Sequence, residues 1–327
     1  MSCINSLHFM DRIDTEGMLS ESIQSNRIPT VGVLLSTYNG AKYLVEQVKS
    51  IDLQDDVRIV MFCRDDGSSD DTPRLLEELS NDTNGAIRDW HLELGSNIGF
   101  NASFESLLKQ ASGCDFYAFS DQDDVWKSDK LSTAIRCIKD ADNAALYGSV
   151  VNIVNERLDP IGINTFPGFT YSIPSELIRH RLAGHTLVWN QFLQDAICKY
   201  GSLPCWSHDQ HVVISAILCG AKLVLDDCAY VMHRRLDSSV TPGGGGLLKR
   251  LEHELNMILN PGHRYNRQSL ASCILAFDGI TIDEKESRFL KACAEGRYLN
   301  LLFNNCLDCG LFLGNIEAIL SILIGRF

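Results

Sequence analysis

An acidic run is the feature of the chain with the clearest chemical potential. Three carboxylates lie within four residues at Asp121-Gln122-Asp123-Asp124. Such carboxylates repel one another unless water or a cation screens them, and hard divalent cations take oxygen ligands that they often share with substrate phosphates. Alone, the run is equally typical of a solvated acidic turn. Its position directly after the apolar residues 116–119 favours a ligand site, because it places the carboxylates at the end of a strand.

A second acidic cluster follows another apolar run. Residues 57–62 are apolar, and a polar cluster spans 65–70. In dinucleotide-binding folds an acidic residue near the end of the second strand takes ribose hydroxyls, so Asp66 is a candidate for holding a ribose or a base. The same cluster precedes Thr72-Pro73, where serine or aspartate makes a good helix N-cap. We expect neighbouring residues to divide these two roles.

The acidic clusters lie within a regular alternation of predicted strands and helices. Mainly apolar runs predict strands at 31–35, 57–62 and 115–119, and 87–94 also has the pattern of a strand. Helical spacing predicts helices from residue 41 and over 72–79, 100–111 and 127–139. This alternation is typical of an α/β fold with an open, twisted, mostly parallel sheet and helices on both faces.

The polar clusters are predicted to meet at one edge of this sheet. In open α/β sheets, ligands bind beyond the carboxyl ends of the strands. Each predicted strand is followed by a polar cluster, and these clusters are 37–39, 65–70, 97–99 and 121–124. The sequence therefore predicts a binding site at this edge.

The second half of the chain is less regular. We predict strands at 145–154 and 184–189, a loop at 159–174, a helix at 207–218 and a β-hairpin or strand pair at 222–231. The pattern after residue 247 is helical.

A glycine-rich segment separates the helical region from the rest. Pro242 and the glycines at 243–246 predict a hinge or loop. The predicted organisation is therefore an N-terminal extension over 1–28, an α/β domain over 29–240 and a C-terminal helical region over 241–327.

Charge limits the classes of partner. The chain of 327 residues carries a formal net charge of −13. A surface this acidic repels phosphate backbones and anionic lipid headgroups, and we expect no nucleic-acid partner. A single phosphorylated ligand is compatible with this charge, because a bound divalent cation reverses the charge locally.

The cysteines suggest a reducing compartment. Most of the twelve sit singly in apolar stretches, which predicts free, buried thiols. They are Cys63, Cys114, Cys137, Cys198, Cys219, Cys273 and Cys293. The close pair Cys306 and Cys309 has no second pair beside it and is weak evidence for zinc. With no secretory signal predicted in residues 1–28, we expect a cytoplasmic protein.

The most hydrophobic stretch lies near the C-terminus, at residues 311–324. It contains Gly314, Asn315 and Glu317 and is shorter than the ~20 apolar residues that a membrane-spanning helix needs. We predict a helix packed on the protein. The alternative is shallow insertion that gives peripheral contact with the inner face of a membrane.

Four motifs together resemble a known family. They are Thr37-Tyr38-Asn39-Gly40, Asp65-Asp66-Gly67-Ser68-Ser69-Asp70, Asn97-Ile98-Gly99-Phe100 and Asp121-Gln122-Asp123-Asp124-Val125-Trp126. In order and spacing they resemble the family 2 glycosyltransferases, and the last motif resembles the bacterial rhamnosyltransferase-type branch, which builds cell-surface polysaccharides. The resemblance covers roughly residues 30–240. It implies a GT-A fold, followed here by the helical extension.

The resemblance implies a site for a nucleotide-sugar donor. Its residues would be Ser36, Tyr38, Asn39, Asp66, Asn97, Gly99, Asp121, Asp123, Arg234 and Arg235. Ser36 and Tyr38 would line the nucleobase pocket, and Asp66 would contact the base. Asp123 and Asp124 would hold a divalent cation, Mg²⁺ or Mn²⁺, which stabilises the departing nucleoside diphosphate as negative charge develops on it.

The resemblance also implies a general base, because such enzymes invert the anomeric carbon in one displacement. The family places this carboxylate at the start of a helix, and Asp209 in the segment Ser207-His208-Asp209-Gln210 matches that position. His208 and His211 are weaker alternatives. An acid in the first turn of a helix is also favourable electrostatically without any catalytic role.

A further segment matches the acceptor side of the branch. Gly184-His185-Thr186 corresponds to residues beside the acceptor, so His185 and His208 are predicted there. A packed, structural His185 is an equally good interpretation.

The sequence differs from the branch at two places that, by the resemblance, lie near the donor diphosphate. The segment His233-Arg234-Arg235-Leu236 replaces an Arg-Gln-His-like segment. Ala102 and Ser103 stand where a basic residue and an asparagine are common. The basic residues of the first segment can still contact phosphate.

The implied activity is metal-dependent, inverting transfer of a sugar from dTDP-rhamnose or a UDP-hexose to a hydroxyl of a glycan or lipid-linked acceptor. The departures keep open a second hypothesis, a degenerate relative that binds a sugar nucleotide or a partner without turnover. A dinucleotide-dependent oxidoreductase would need three glycines in the first turn, where the chain has only Gly40, and the sequence contains no P-loop motif.

Overall fold

The structure, a computed structural model, describes residues 27–82, 84–235, 267–277, 280, 282–304, 307–325 and 327. The predicted hinge at 242–246, the predicted boundary at 240, and Leu236 and Cys306 lie outside these residues. So does nearly all of the predicted N-terminal extension.

The first four strands form the parallel half of the sheet. They are β1 (Thr30–Thr37), β2 (Arg58–Asp65), β3 (Ile87–Leu94) and β4 (Phe116–Ser120), in the spatial order β3-β2-β1-β4. The helices between them are α1 (Ala41–Asp52), α2 (Thr72–Ser80) and α3 (Phe100–Gln110). Every pairing in this half is parallel, so the predicted arrangement is confirmed here.

The remaining strands extend the sheet with mixed directions. They are β5 (Val125–Trp126), β6 (Ala145–Val154), β7 (Pro160–Asn164), β8 (Val188–Asn190) and β9 (Lys222–Arg234). The order continues as β4-β8-β6-β9-β5, with β7 beside β6. β8 is antiparallel to β4 and β6, whereas β9 is parallel to β6 and antiparallel to β5. The sheet is therefore mixed beyond β4.

The helices of this second part are short and precede or follow the added strands. They are α4 (Lys130–Ile138), α5 (Ile173–Ile178), α6 (Gln191–Tyr200) and α7 (His208–Leu218). A 3₁₀ turn at Gly184–Thr186 leads into β8, where sequence alone predicted a strand over 184–189.

Two other predictions for this part are wrong. The segment 159–174, predicted as a loop, contains β7 and the start of α5. The hairpin predicted over 222–231 is one continuous strand, β9. Its pairing with β6 shifts register, since Ser149 pairs with Asp226 and Val150 with Ala229. A bulge absorbs the polar residues between these pairs without reversing the chain.

Helices cover both faces of the sheet, as predicted, and β1 shows why. Its side chains alternate between faces. Val33 and Leu35 belong to one core cluster with Leu44 of α1, whereas Leu34 belongs to a second cluster with Leu107 of α3. All five are fully buried. Burying each leucine side chain contributes about 2 kcal/mol to folding.

The C-terminal helices pack against the α/β part through a third core cluster. They are α8 (Arg267–Leu275), α9 (Glu284–Ala294) and α10 (Phe312–Leu323), with a 3₁₀ turn at Tyr298–Phe303. Phe289 and Ile322 share this cluster with Ile173 of α5 and Ile214 of α7. The prediction of a packed helix over 311–324 is confirmed by the buried inner face of α10. No helix in the described part of the chain is long and apolar enough to cross a membrane.

The cysteines match the prediction only in part, because Cys137, Cys219 and Cys273 are half-buried rather than buried. Every cysteine that the structure describes is a free thiol. Cys63, Cys114 and Cys293 are buried, and burial raises the pKa of the Cys114 thiol to about 11. Cys198 is exposed, contrary to expectation, because it lies on the outer face of α6 beside the buried Ile197.

Candidate active site

The acidic run connects β4 to β5 at the carboxyl edge of the parallel half. Asp124 is fully buried. Its Oδ1 lies 2.8 Å from Nδ1 of His233, and its Oδ2 lies 3.7 Å from Nδ1 of His185. The same His185 nitrogen lies 3.1 Å from Oδ2 of Asp121. Two histidines from distant parts of the chain therefore meet the acidic run.

Strand pairing explains how His233 reaches this position. β9 pairs antiparallel with β5, and Met232 lies opposite Val125. The preceding residue of one strand then lies beside the following residue of the other, which brings Asp124 and His233 together. The His185 and His233 rings stack with centroids 4.5 Å apart.

This cluster has the donor set of a divalent-cation site. The ligand atoms of Asp121, Asp124, His185 and His233 all lie within 4.8 Å of one another. Asp124 Oδ2 and His185 Nε2 are buried without a hydrogen-bond partner. Buried polar atoms are rarely left unsatisfied, so the Asp124 oxygen fits a cation that it would ligate together with His185 Nδ1, the ring atom that faces the carboxylates. The sequence predicted Asp123 and Asp124 as the metal ligands. Asp124 is part of this cluster and Asp123 is not.

The electrostatics of the cluster show an excess of negative charge. Burial and the neighbouring carboxylates Asp124 and Asp121 raise the pKa of Asp123 to about 6. Burial opposes charge on His233, but the same carboxylates, Asp124 first, outweigh it and raise the pKa of His233 to about 9. Without a cation, a protonated His233 therefore neutralises part of the negative charge of these carboxylates.

On the nucleotide side, Asp66 holds a loop. Its Oδ1 accepts hydrogen bonds from Nη1 of Arg64 at 2.5 Å and from the backbone N–H of Ile98 at 2.8 Å. Its Oδ2 accepts from the N–H of Gly99 at 2.8 Å. Gly99 has φ +88°, a conformation that favours glycine. Asp66 thus shapes the loop that presents the exposed Asn97, and base contact by Asp66 stays a prediction.

Ser103, one of the two departures from the branch, has a role in this network. Its hydroxyl accepts a hydrogen bond from Ser36 Oγ at 2.7 Å and lies 3.3 Å from Nη1 of Arg64. Ser103 is fully buried. It therefore links the predicted nucleobase residue Ser36 to the Arg64–Asp66 ion pair.

Gln122 positions the turn that carries Tyr38, a role that sequence reasoning missed. Its Oε1 accepts from the N–H of Tyr38 at 2.8 Å, and its Nε2 donates to the Tyr38 carbonyl at 3.1 Å. A Cβ on Gly40 would lie only 2.2 Å from this Oε1, so a side chain there would displace Gln122 from the Tyr38 backbone. Asn39 has φ +49° and accepts from the N–H of Ser69 at 2.8 Å. The acidic run and the predicted base pocket are therefore physically joined.

Asp209 lies at the start of α7, as predicted, and is saturated by donors. Ser207 Oγ donates to its Oδ1, as does the N–H of Gln210 at 2.9 Å. Its Oδ2 accepts from the N–H of Gly184 at 3.1 Å and lies 3.4 Å from Nε2 of His180. Burial opposes ionisation, but His180 and the other donors outweigh it and hold the pKa of Asp209 well below its usual range.

His180 and Glu176 are further residues that sequence reasoning missed. His180 Nδ1 lies 2.6 Å from Oε2 of the fully buried Glu176. Burial opposes a charge on the imidazole, but Glu176 and Asp209 outweigh it and raise the pKa of His180 well above its usual value. The i, i+4 spacing of Glu176 and His180 was visible in the sequence, but their nearness to Asp209 depends on the tertiary fold.

Two predicted histidines are core residues. The His208 ring stacks on Phe104 at 3.9 Å and meets Phe119 edge-on at 4.6 Å. Burial lowers the pKa of His208. His211 is buried and lies 2.8 Å from Glu105. The His208 ring therefore has a packing role, and its contact with the acceptor stays a prediction.

The two predicted phosphate-binding arginines differ. The guanidinium of Arg234 is buried, donates to the Asp123 carbonyl at 2.8 Å and pairs with Glu46. It also lies 4.7 Å from the Tyr43 ring centroid. Arg234 therefore supports the backbone of the acidic run rather than presenting its charge to a ligand. Arg235 is half-buried, its Nε lacks a hydrogen-bond partner, and burial lowers its pKa.

Comparisons with known proteins agree with this geometry. Residues 32–189 match the family model of Glycosyl transferase family 2. The chain is 33% identical over 160 residues to the dTDP-rhamnosyl transferase RfbG of Shigella flexneri, covering 44% of this chain and 55% of that protein. It is 34% identical over 109 residues to the GalNAc(5)-diNAcBac-PP-undecaprenol beta-1,3-glucosyltransferase of Campylobacter jejuni, covering 33% of this chain and 34% of that protein. The chain thus spans about half or less of the length of these curated relatives.

A solved structure shares the fold. S. aureus TarS 1–349, determined in complex with UDP-GlcNAc, superposes with a TM-score of 0.52 at 17% sequence identity, covering 91% of this chain and 89% of that one. This likeness supports the predicted GT-A fold. Residues 32–189, with the motifs at 37–40, 65–70, 97–100 and 121–126, form a domain of glycosyl transferase family 2.

Proposed function

We propose that the protein transfers a sugar from a nucleotide-diphosphate donor to a hydroxyl group and inverts the anomeric carbon. One observation carries this proposal. The backbone N–H of Gly184 donates to Asp209, and the next residue, His185, contacts Asp121. A carboxylate suited to act as a base and a cluster suited to hold a cation are therefore adjacent, on either side of one 3₁₀ turn.

Asp121, Asp124, His185 and His233 would hold the cation. When bound, a divalent cation neutralises the negative charge that develops on the departing nucleoside diphosphate. Two imidazoles with two carboxylates suit Mn²⁺ better than Mg²⁺, because Mg²⁺ prefers oxygen ligands and water. Of the two ions that the sequence suggested, the donor set favours Mn²⁺.

Asp209 would accept the proton of the acceptor hydroxyl. The acceptor oxygen forms a bond to the anomeric carbon, the bond from that carbon to the diphosphate oxygen breaks, and the proton passes to a carboxylate oxygen of Asp209. A carboxylate with a lowered pKa is ionised at every physiological pH but is a weak base. Proton transfer is then late, when the forming bond has made the hydroxyl acidic.

His180 would position this base. Held by Glu176, its imidazole fixes the orientation of Asp209. Its positive charge keeps the carboxylate ionised but also limits its basicity. His180 is therefore a positioning residue.

The relatives suggest the substrates. The name of the Shigella protein supports dTDP-rhamnose as donor, with a UDP-hexose as the alternative. The name of the Campylobacter protein supports an undecaprenol-diphosphate-linked glycan as acceptor, which would place the reaction on the cytoplasmic side of a membrane. Tyr38, with 49% of its surface exposed beside Gln122, is suited to stack on the donor base.

The experiment is transfer and hydrolysis from a panel of dTDP- and UDP-sugars, with Mn²⁺, with Mg²⁺ and with a chelator. Metal-dependent release of nucleoside diphosphate from one donor is expected. If no sugar nucleotide of the panel binds in the presence of either ion, the proposal fails.

A second candidate is a relative that binds a sugar nucleotide without turnover. It is favoured by the contacts of Arg234, whose guanidinium binds the Asp123 carbonyl and Glu46 and is therefore not directed at a diphosphate. The same panel separates the two candidates, because this one predicts saturable donor binding and no product with any acceptor.

A further inference from the structure

The C-terminal helices contain a basic groove. A cavity of about 450 Å³ lies between α9 and the 3₁₀ turn that follows it. The cationic side chains that line it are Lys285, Arg288, Lys291 and Arg297. Ala292, Asn300, Phe303 and Asn304 complete the lining. We call these residues the basic groove.

The groove opposes the overall charge of the protein. The chain carries a net charge of −13, yet four cations line this one cavity. Lys285, Arg288 and Lys291 follow at three-residue intervals along the exposed face of α9, whose other face buries Phe289 and Leu290. Residues three apart lie on the same helix face, so their charges add.

The ion pairs recorded in this groove are weak. Arg288 lies 3.6 Å from Glu284, and the side chains are 64% and 86% exposed. Arg297 pairs with Glu295, also at the surface. Exposed pairs of this kind contribute little, so an incoming anion can compete with the two glutamates.

Large apolar side chains are exposed at the same place. Phe303, within the groove lining, is 89% exposed, and Leu299 in the same turn is 60% exposed. Aromatic and aliphatic side chains beside cations are the composition of a surface that lies in the headgroup region of a bilayer.

We propose that the basic groove, with Phe303 and Leu299, docks the protein on an anionic phospholipid surface. Lipid phosphates bind Lys285, Arg288, Lys291 and Arg297, and the two apolar side chains enter the interface. A phospholipid surface fits better than a nucleic acid, because the exposed apolar side chains can enter a bilayer interface but have no role on a phosphate backbone. This docking does not depend on the proposed transfer activity.

The test is co-sedimentation of the full chain with phosphatidylcholine vesicles, with and without phosphatidylglycerol. We expect binding only with the anionic lipid, weakened by salt. The double variant Lys285→Gln/Lys291→Gln should bind about thirtyfold more weakly, given the contribution of each cation at an anionic surface. Phe303→Ser should reduce binding about tenfold through lost apolar burial.

The matched control is Lys109→Gln/Lys199→Gln, which removes the same charge from exposed lysines of α3 and α6. It should bind like the unaltered protein. Absence of binding to anionic vesicles, equal binding to neutral ones, or an equal loss in the control would overturn the proposal, as would preferential binding of duplex DNA. Transfer to a soluble acceptor should be unchanged in every variant, so failure here is distinguishable from failure of the proposed function.

Discussion

Two carboxylate sites lie on either side of the Gly184–Thr186 turn, and they are built in opposite ways. Around Asp121–Asp124, negative charge exceeds the available donors, and Asp124 Oδ2 has no hydrogen-bond partner. Around Asp209, both carboxylate oxygens are satisfied by side-chain and backbone donors. The pKa of Asp123 is raised to about 6, whereas that of Asp209 is lowered. The first site is suited to bind a cation, whereas the Asp209 carboxylate of the second site is already stabilised by its hydrogen-bond donors.

The largest loss of activity is expected from substitution of Asp209. Asp209→Asn removes the proposed base, so transfer should fall by about a thousandfold while donor affinity changes less than about twofold. The measurement is initial rate beside donor binding by calorimetry. Asp227→Asn, at an exposed position of β9, is the control and should behave like the unaltered protein. Loss of donor binding in Asp209→Asn would remove it from the base role.

His180 tests whether the second site is held together by charge. His180→Gln leaves Glu176 and Asp209 without their shared partner, so the free energy of unfolding should fall by about 3 kcal/mol at pH 6. The pKa of His180 is raised in the folded state, so its contribution is complete below the unfolded value of about 6.5 and is lost as pH rises toward the folded value.

Urea unfolding of both proteins from pH 5 to pH 9 measures this difference. The gap between them should be widest at low pH and narrow as pH rises above about 6.5. His91→Gln, a surface histidine of β3, is the control. A gap that does not vary with pH would mean that His180 is uncharged. The variant should also lower kcat about tenfold with little change in KM.

At the first site, Asp124→Asn should weaken Mn²⁺ binding by more than about a hundredfold. Asp123→Asn removes the same charge outside the cluster and should cost about tenfold or less. Thermal shifts with and without Mn²⁺ measure the difference, because a ligand of the folded state raises apparent stability. Equal losses in the two variants would contradict the assignment of the cluster.

The smallest effect is expected where the first site joins the nucleotide side. Gln122→Ala removes two hydrogen bonds to the backbone of Tyr38 and should raise the KM for the donor about tenfold. Gln110→Ala, at an exposed position of α3, is the control. A change in kcat alone would show that the turn does not act through donor binding.

The sequence predicted the parallel half of the molecule well, and the reason is local. The strands β1, β2 and β4 are mainly apolar runs closed by a polar cluster, β3 has spaced apolar residues, and each helix between them has regular apolar spacing. The carboxyl ends of parallel strands meet, so Asp66 and Asp124 could be placed on one edge without knowledge of distant contacts.

The remaining contacts of the candidate site could not be predicted, because they depend on pairing and packing between distant segments. His233 joins Asp124 only because β9 pairs with β5, and His185 joins because the 3₁₀ turn precedes β8. His180 reaches Asp209 through tertiary packing, and Arg234 turns inward to Glu46. No local pattern in the sequence distinguishes a buried arginine that supports backbone from one that binds phosphate.

The most direct test of the cation site is anomalous diffraction at the manganese edge from crystals grown with Mn²⁺ and a nucleoside diphosphate. We predict one anomalous peak within bonding distance of Asp124, with Asp121, His185 and His233 around it. A peak bound by Asp123 with both imidazoles still hydrogen-bonded to the carboxylates, or no peak at all, would contradict it.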